Sequence, residues 1–324
     1  MKPILQRILF ILLVIPVFTK AQITNPVIKA AFGVEADLRA NFYNGFTQSG
    51  VDDWFSNGNL GTGVYIIDTT GAPFYRKRYT LDPNFRRVPF FKGMRYPQFS
   101  IVNGKMLIDA IFIRDHHGDD STVFSTGNKN AQSPAVWSTP VSQSIPDKDD
   151  ILDIFMHVRR DGTALTDSLW LFGGVSIDGT TGNRYFDFEM YQTDIYYNRS
   201  TMGFGGYGPD AGHTSWEFDG AGNVTKVGDV IFTAEYGSSS LSFIEARIWV
   251  NQSSLAVTPM AFNWAGTFDG ATSGSTFGYA GITPKSAGDF YTGLQCGNNT
   301  WAGPFGLVLS DNSFVADYNA KQFM

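Results

Sequence analysis

The 324 residues carry 24 Lys and Arg against 30 Asp and Glu, a formal net charge of −6, with 15% aromatic and 17% charged residues and 35 glycines. That composition excludes a disordered chain and disfavours non-specific nucleic-acid binding. A lone cysteine, Cys296, excludes an intrachain disulfide, so stability must come from buried area.

Residues 1–21 read as an export signal. Lys2 and Arg7 precede an apolar run from Ile8 to Phe18, and Ala21 supplies the small residue before a cleavage site at Gln22. The run is shorter than the roughly 20 residues of a membrane span, although an N-terminal anchor helix is the alternative. Removing Lys2, Arg7 and Lys20 leaves 21 basic residues against 30 acids, a mature charge of −9. The expected location is secreted or at the cell surface, with no membrane span once the signal is removed.

Residues 22–62 are rich in Asn, Gly and Phe and weakly periodic, which predicts an irregular segment packed on the domain that follows. From Gly63 to Met324 strands follow one another. Val64–Asp68 is short and apolar. Phe99–Val102 and Lys105–Arg114 flank Asn103-Gly104, a strong hairpin signal. Ile151–Val158 alternates, with Leu152, Ile154, Met156 and Val158 on one face and Asp153, Phe155 and His157 on the other. Leu169–Ile177 is apolar on both faces and is expected to be central. Tyr185–Thr193, Ser215–Phe218, Val230–Tyr236, Phe243–Val250, Phe277–Thr283 and Phe305–Leu309 complete the series. Strands at this spacing, cut by Gly, Asp and Asn turns, predict an all-β, two-layer antiparallel β-sandwich of jelly-roll or lectin-like type. Because Asp317–Met324 ends where another strand begins, a fragment of a longer protein is expected.

Several segments carry a resemblance. They are Asp52-Asp53-Trp54-Phe55, the Gly63–Gly71 stretch, Ile113-Arg114-Asp115-His116-His117-Gly118-Asp119-Asp120, Pro146–Ile151, His157–Gly162 and Tyr185-Phe186-Asp187-Phe188-Glu189. Together they resemble the N-terminal region of large exported surface proteins of Bacteroidetes, of the gliding-motility-associated kind or bearing a type IX secretion C-terminal domain. The resemblance implies an adhesin-like surface protein several times longer, with further domains as partners.

In the strand Tyr185–Tyr191, period two sets Phe186, Phe188 and Met190 toward the core and Tyr185, Asp187, Glu189 and Tyr191 on the other face. Carboxylates at i and i+2 are about 7 Å apart at Cα, near the spacing a retaining glycosidase uses. Lectin-like glucanases carry three acids in an E-x-D-x-E pattern, whereas here Tyr191 stands in the third place. A polar, cross-paired face, glycan or ion binding, and hydrolysis by Asp187 and Glu189 are the alternatives. The strand Phe243–Val250 presents Phe243, Glu245, Arg247 and Trp249 together; beside the Asp187 strand it would join aromatic platforms to paired charges. Its plainer reading is a Glu–Arg bridge with Trp249 covering an edge.

Asp115, Asp119 and Asp120, with His116 and His117, end a strand and could hold Ca²⁺, or form a solvated turn; Asp147–Asp150 is a weaker version. Residues 74–96 interleave Arg76, Lys77, Arg78, Arg86, Arg87, Lys92 and Arg95 with aromatics. They form either a patch for an acidic polysaccharide or acidic neighbouring domain, or a loop packing its rings inward. His213 lacks a nucleophile motif around it. The function expected is an exported β-sandwich module for adhesion or glycan binding, non-enzymatic, with a glycan or surface protein as partner and calcium as the one candidate cofactor. A lectin-like glycoside hydrolase and a structural spacer are the rival classes.

Overall fold

The computed structural model describes residues 30–32, 42–43, 46–47, 52–56, 63–86, 90–114, 132–137, 146–179, 182–198, 200–236, 241–270, 276–285, 291–295, 298–303, 306–309, 316–317 and 322–323. A short hairpin, β1 (Phe42–Tyr43) and β2 (Phe46–Thr47), comes first. The strands β3 (Phe90–Gly93), β4 (Ser100–Val102), β5 (Lys105–Arg114), β6 (Ile151–Arg160) and β7 (Leu169–Ile177) build one antiparallel sheet. The chain then crosses to β8 (Arg184–Met190) and makes two small hairpins, β9 (Tyr196–Asn198) with β10 (Gly203–Gly205) and β11 (Glu217–Phe218) with β12 (Val224–Lys226). Next come β13 (Val230–Tyr236), β14 (Leu241–Asn251), β15 (Phe262–Gly270) and β16 (Phe277–Pro284). A three-stranded sheet, β17 (Tyr291–Gln295), β18 (Asn298–Gly303) and β19 (Gly306–Leu309), precedes β20 (Ala316–Asp317) and β21 (Gln322–Phe323).

The expected all-β sandwich is what forms. The order in one sheet is β20-β21-β7-β6-β5-β3, and in the other β15-β16-β14-β13-β8. Phe186 and Phe188 on β8 pack into the same cluster as Phe155, Phe172 and Val175, which fastens the second sheet to the first. Gly173 faces the Phe188 ring across this contact, where a Cβ would lie at 3.4 Å. The other end of the second sheet buries Ala246, Ile248, Val250, Phe262, Ala280 and Ile282 beneath Trp216, Phe218 and Leu255. The hairpin at Asn103-Gly104 carries φ of 48° and 75°, the double left-handed turn that suits strand twist.

Two expectations meet a different outcome, and β6 shows which of its two faces is buried. On β6 the wholly buried face is Asp153, Phe155, His157 and Arg159. Each of its polar members has at least one partner, while His157 Nε2 and Arg159 Nε and Nη1 have none among the described residues. Arg114 holds Asp153 through two bonds of 2.6 and 2.7 Å, and Ser176 adds a third at 2.8 Å. Arg159 pairs with Asp52 at 2.5 Å. Residues near the N-terminus supply the cover: Phe32 and Trp54 are fully buried, with rings 5.0 Å apart, and Phe32 lies 5.0 Å from His157. The β7 strand is central only along its second half, because Leu169 and Leu171 are exposed while Phe172 to Ile177 turn inward. Residues 72–81 form a helix rather than a loop. Gly71 at φ 77° turns the chain into it, Pro73 sits in its first turn, and Asp82-Pro83 ends it.

His157 donates Nδ1–H to the Asp109 carbonyl at 2.8 Å. Burial first, and the Arg159 charge second, depress its pKa from 6.5 to about 3. The unfolded chain therefore takes up a proton below about pH 6.5 that the folded chain refuses, so stability present above that pH is lost as pH falls toward 3. Urea titrations at pH 7.5 and 5 should show this loss, and His157→Phe should flatten it. Trp54→Ala should cost about 3–5 kcal/mol by the same titration at pH 7.5.

Candidate functional site

Alternation on the five-stranded sheet sets one face toward the sandwich core and the other away from it. Register then places the outward residues in rows. Thr233 stands opposite Asp187 on one side and Glu245 on the other; Ile231 stands between Glu189 and Arg247; Trp249 stands opposite Tyr279, which faces Asp269 on β15. The two strands singled out by sequence are thus not neighbours. β13 lies between them and contributes Thr233 as the link.

That link is continuous. Arg247 donates Nη2–H to Thr233 Oγ1 at 2.6 Å, and Thr233 donates its hydroxyl to Asp187 Oδ1 at 2.6 Å. The remaining guanidinium nitrogens face Asp269 at 3.5 Å and Glu245 at 3.7 Å, and Thr267 donates to Glu245 at 2.7 Å. Gly281 makes this crossing possible, because a Cβ there would collide with both Thr267 Oγ1 and Glu245 Oε1. One cation therefore sits among three carboxylates, and the Thr233 hydroxyl orders it.

Glu189 lies deeper, with Ile231 as the apolar floor beside it. Its pKa is raised to about 8: burial is the main cause, the Tyr191 hydroxyl, which donates to Glu189, opposes the rise, and the Asp187 and Asp229 charges add to it. Asp187 stands at the rim, its outer atoms in solvent. Dehydration of its carboxyl raises its pKa against the pull of Thr233 and Arg247. At neutral pH the pair therefore holds a protonated acid next to one that is more readily ionised. Tyr279 is fully buried on this face, its pKa raised by burial and by the Glu189 charge, and its hydroxyl has no hydrogen-bond partner among the described residues.

The segment 206–216 closes one end. His213 lies 4.0 Å from Trp249 and stacks on Tyr191 at 5.5 Å and 18°. Its Nε2–H donates to the Gln132 carbonyl at 3.0 Å and its Nδ1 is 3.3 Å from Asp229. Asp229 also accepts the backbone N–H groups of Gln192 and Thr214.

Of the residues singled out by sequence, the outer face gathers Tyr185, Asp187, Glu189, Glu245 and Arg247, with Tyr191 at its closed end. Tyr185 is 60% exposed and lies opposite Glu235. Trp249 is corrected: it is fully buried under His213 and against Tyr279, so its ring is packing and not an open platform. Arg247 does not wait for a ligand, since its nitrogens already face Thr233, Asp269 and Glu245. Asp115, Asp119 and Asp120 lie outside the described residues. Among the described residues no group of three or more His, Cys, Asp or Glu is placed to hold a metal ion. Asp147–Asp149 forms a short turn in which Lys148 bridges Asp149 at 2.9 Å.

Sequence reading missed Thr233, Asp229, Asp269 and Tyr279. The alternation of Val230–Tyr236 could have set Thr233 on the face, but nothing local pairs it with Asp187. Comparison with protein-family models, with curated proteins and with solved structures finds no match.

The Glu189 carboxyl should titrate near pH 8 in the infrared carbonyl band. Tyr191→Phe should raise that midpoint, since the lost hydrogen bond was lowering it. A midpoint near the ordinary 4.5 would show an open, hydrated carboxyl.

Proposed function

We propose that this chain is an exported, cell-surface β-sandwich module that binds glycan on the outer face of its five-stranded sheet. The observation that carries the reading is the wired polar row Asp187–Thr233–Arg247, flanked by exposed Tyr185. Sugars are recognised by fixed donors and acceptors that match hydroxyls, with an aromatic ring against their CH faces. Asp187 and Glu189 supply the first, and Tyr185 supplies the second. The basic n-region and apolar run before Gln22 support export, and no helix among the described residues is long and apolar enough to cross a membrane. Calcium held by Asp115, Asp119 and Asp120 stays with this reading as a component to be tested by chelation.

A second reading is glycoside hydrolysis, favoured by the unequal acid pair. Glu189 holds its proton to about pH 8 while Asp187 stands two residues away, as a proton donor and its ionised partner require. On this reading cleavage falls as pH rises through about 8, when Glu189 loses the proton it would donate.

A glycan array on residues 22–324, with and without chelator, decides between them. Binding reading: Asp187→Asn and Tyr185→Ala each weaken retention about fivefold or more, with no reducing ends released. Hydrolysis reading: reducing ends appear, Glu189→Gln stops them, and retention persists. No retention under any condition defeats both and leaves a structural spacer.

A further inference from the structure

We propose that the helix Ala72–Leu81 and the strand beside it form a second, separate docking surface, for an anionic polysaccharide. The proposal is independent of the sheet-face reading. Charge is its first ground. Residues 72–96 hold seven Lys and Arg against the single acid Asp82, a net of +6, in a chain whose formal charge is −6. The other residues therefore sum to −12, so this short segment runs against the charge of the rest of the chain.

Burial is the second ground. No residue of the helix is buried. Tyr75 and Tyr79 alone turn partly inward, where Lys92 stands 4.8 Å from the Tyr75 ring and Arg114 stands 5.7 Å from the Tyr79 ring. Ten residues are too few for a helix to be stable by itself, and most of this one faces solvent. Arg78 is committed to Asp82 at 3.2 Å. Arg76 and Lys77 are exposed, and neither side chain makes a hydrogen bond or ion pair among the described residues. Phe74 is 59% and Phe91 70% exposed.

Rings and unspent cations side by side suit a chain of pyranose units bearing carboxylates or sulfates, whose CH faces and charges alternate. An acidic peptide offers the charges without the flat faces. A lipid surface needs an apolar stripe opposite a basic one. Here Phe74 and Leu81 are both exposed while the basic residues Arg76, Lys77 and Arg78 run consecutively between them, so no such division exists.

The test measures binding of the full chain to polygalacturonate in low salt and at 0.3 M NaCl. Wild type is expected to bind in low salt and to release as salt screens the contacts. Arg76→Gln/Lys77→Gln should bind about fivefold weaker or worse, while Lys285→Gln, which removes an exposed charge outside this segment, stays unchanged. Thermal melting confirms that the double variant is folded, and Lys77→Gln alone serves if it is not. The proposal is overturned if the neutralised variants bind as well as wild type. It is equally overturned by no binding of wild type, or by preference for phosphatidylglycerol vesicles over the polysaccharide. Failure here leaves the sheet-face reading standing, since that rests on Asp187, Glu189 and Tyr185.

Discussion

The burial of Phe186 and Phe188 against the first sheet is the constraint from which the candidate site follows. Successive side chains on a strand point to opposite faces, so fixing these two rings in the core forces Asp187 and Glu189 to the far side. A slip of one residue would drive both carboxylates into the aromatic cluster, at a cost no neighbouring cation is placed to offset. β13 then repeats the rule, with Phe232 packed inward and Thr233 outward. The polar row is a by-product of apolar packing on its reverse side.

How far the sequence discloses this depends on the range of each cause. Local causes are legible: alternation marks β6, β13 and β14 to within two residues, and Asn103-Gly104 marks its hairpin. The outward set Tyr185, Asp187, Glu189 is legible for the same reason. Partnership across strands is not, because alternation names a face but no neighbour. Thr233 lies 46 residues from Asp187 in the chain, and Asp52 lies 107 from Arg159. The buried face of β6 shows the same limit. His157 and Arg159 look solvated until Phe32, Asp52 and Trp54 arrive from a distant segment to cover them. β15 stayed outside the strand series for another reason: a bulge at Ala265-Gly266-Thr267 breaks its alternation.

The two buried arrangements use charge differently. Arg159 is sealed with one carboxylate and holds a core together. Arg247 is shared among Asp269, Glu245 and, through Thr233, Asp187, half-way between interior and solvent. The first is strongly destabilised by loss of its partner. The second distributes one positive charge so that several acids can crowd a single face, which is the condition for keeping Asp187 and Glu189 close together.

The bulge in β15 has a bearing on how such molecules coexist. Among the described residues β15 pairs with β16 alone and so borders the sheet, and its register breaks between Trp264 and Phe268 with Gly266 at φ 91°. A straight, unprotected border would be a template for any passing chain. The kink throws its backbone amides out of line, and the exposed Asp269 adds charge at the same margin. Many copies can then crowd together without zipping into fibrils.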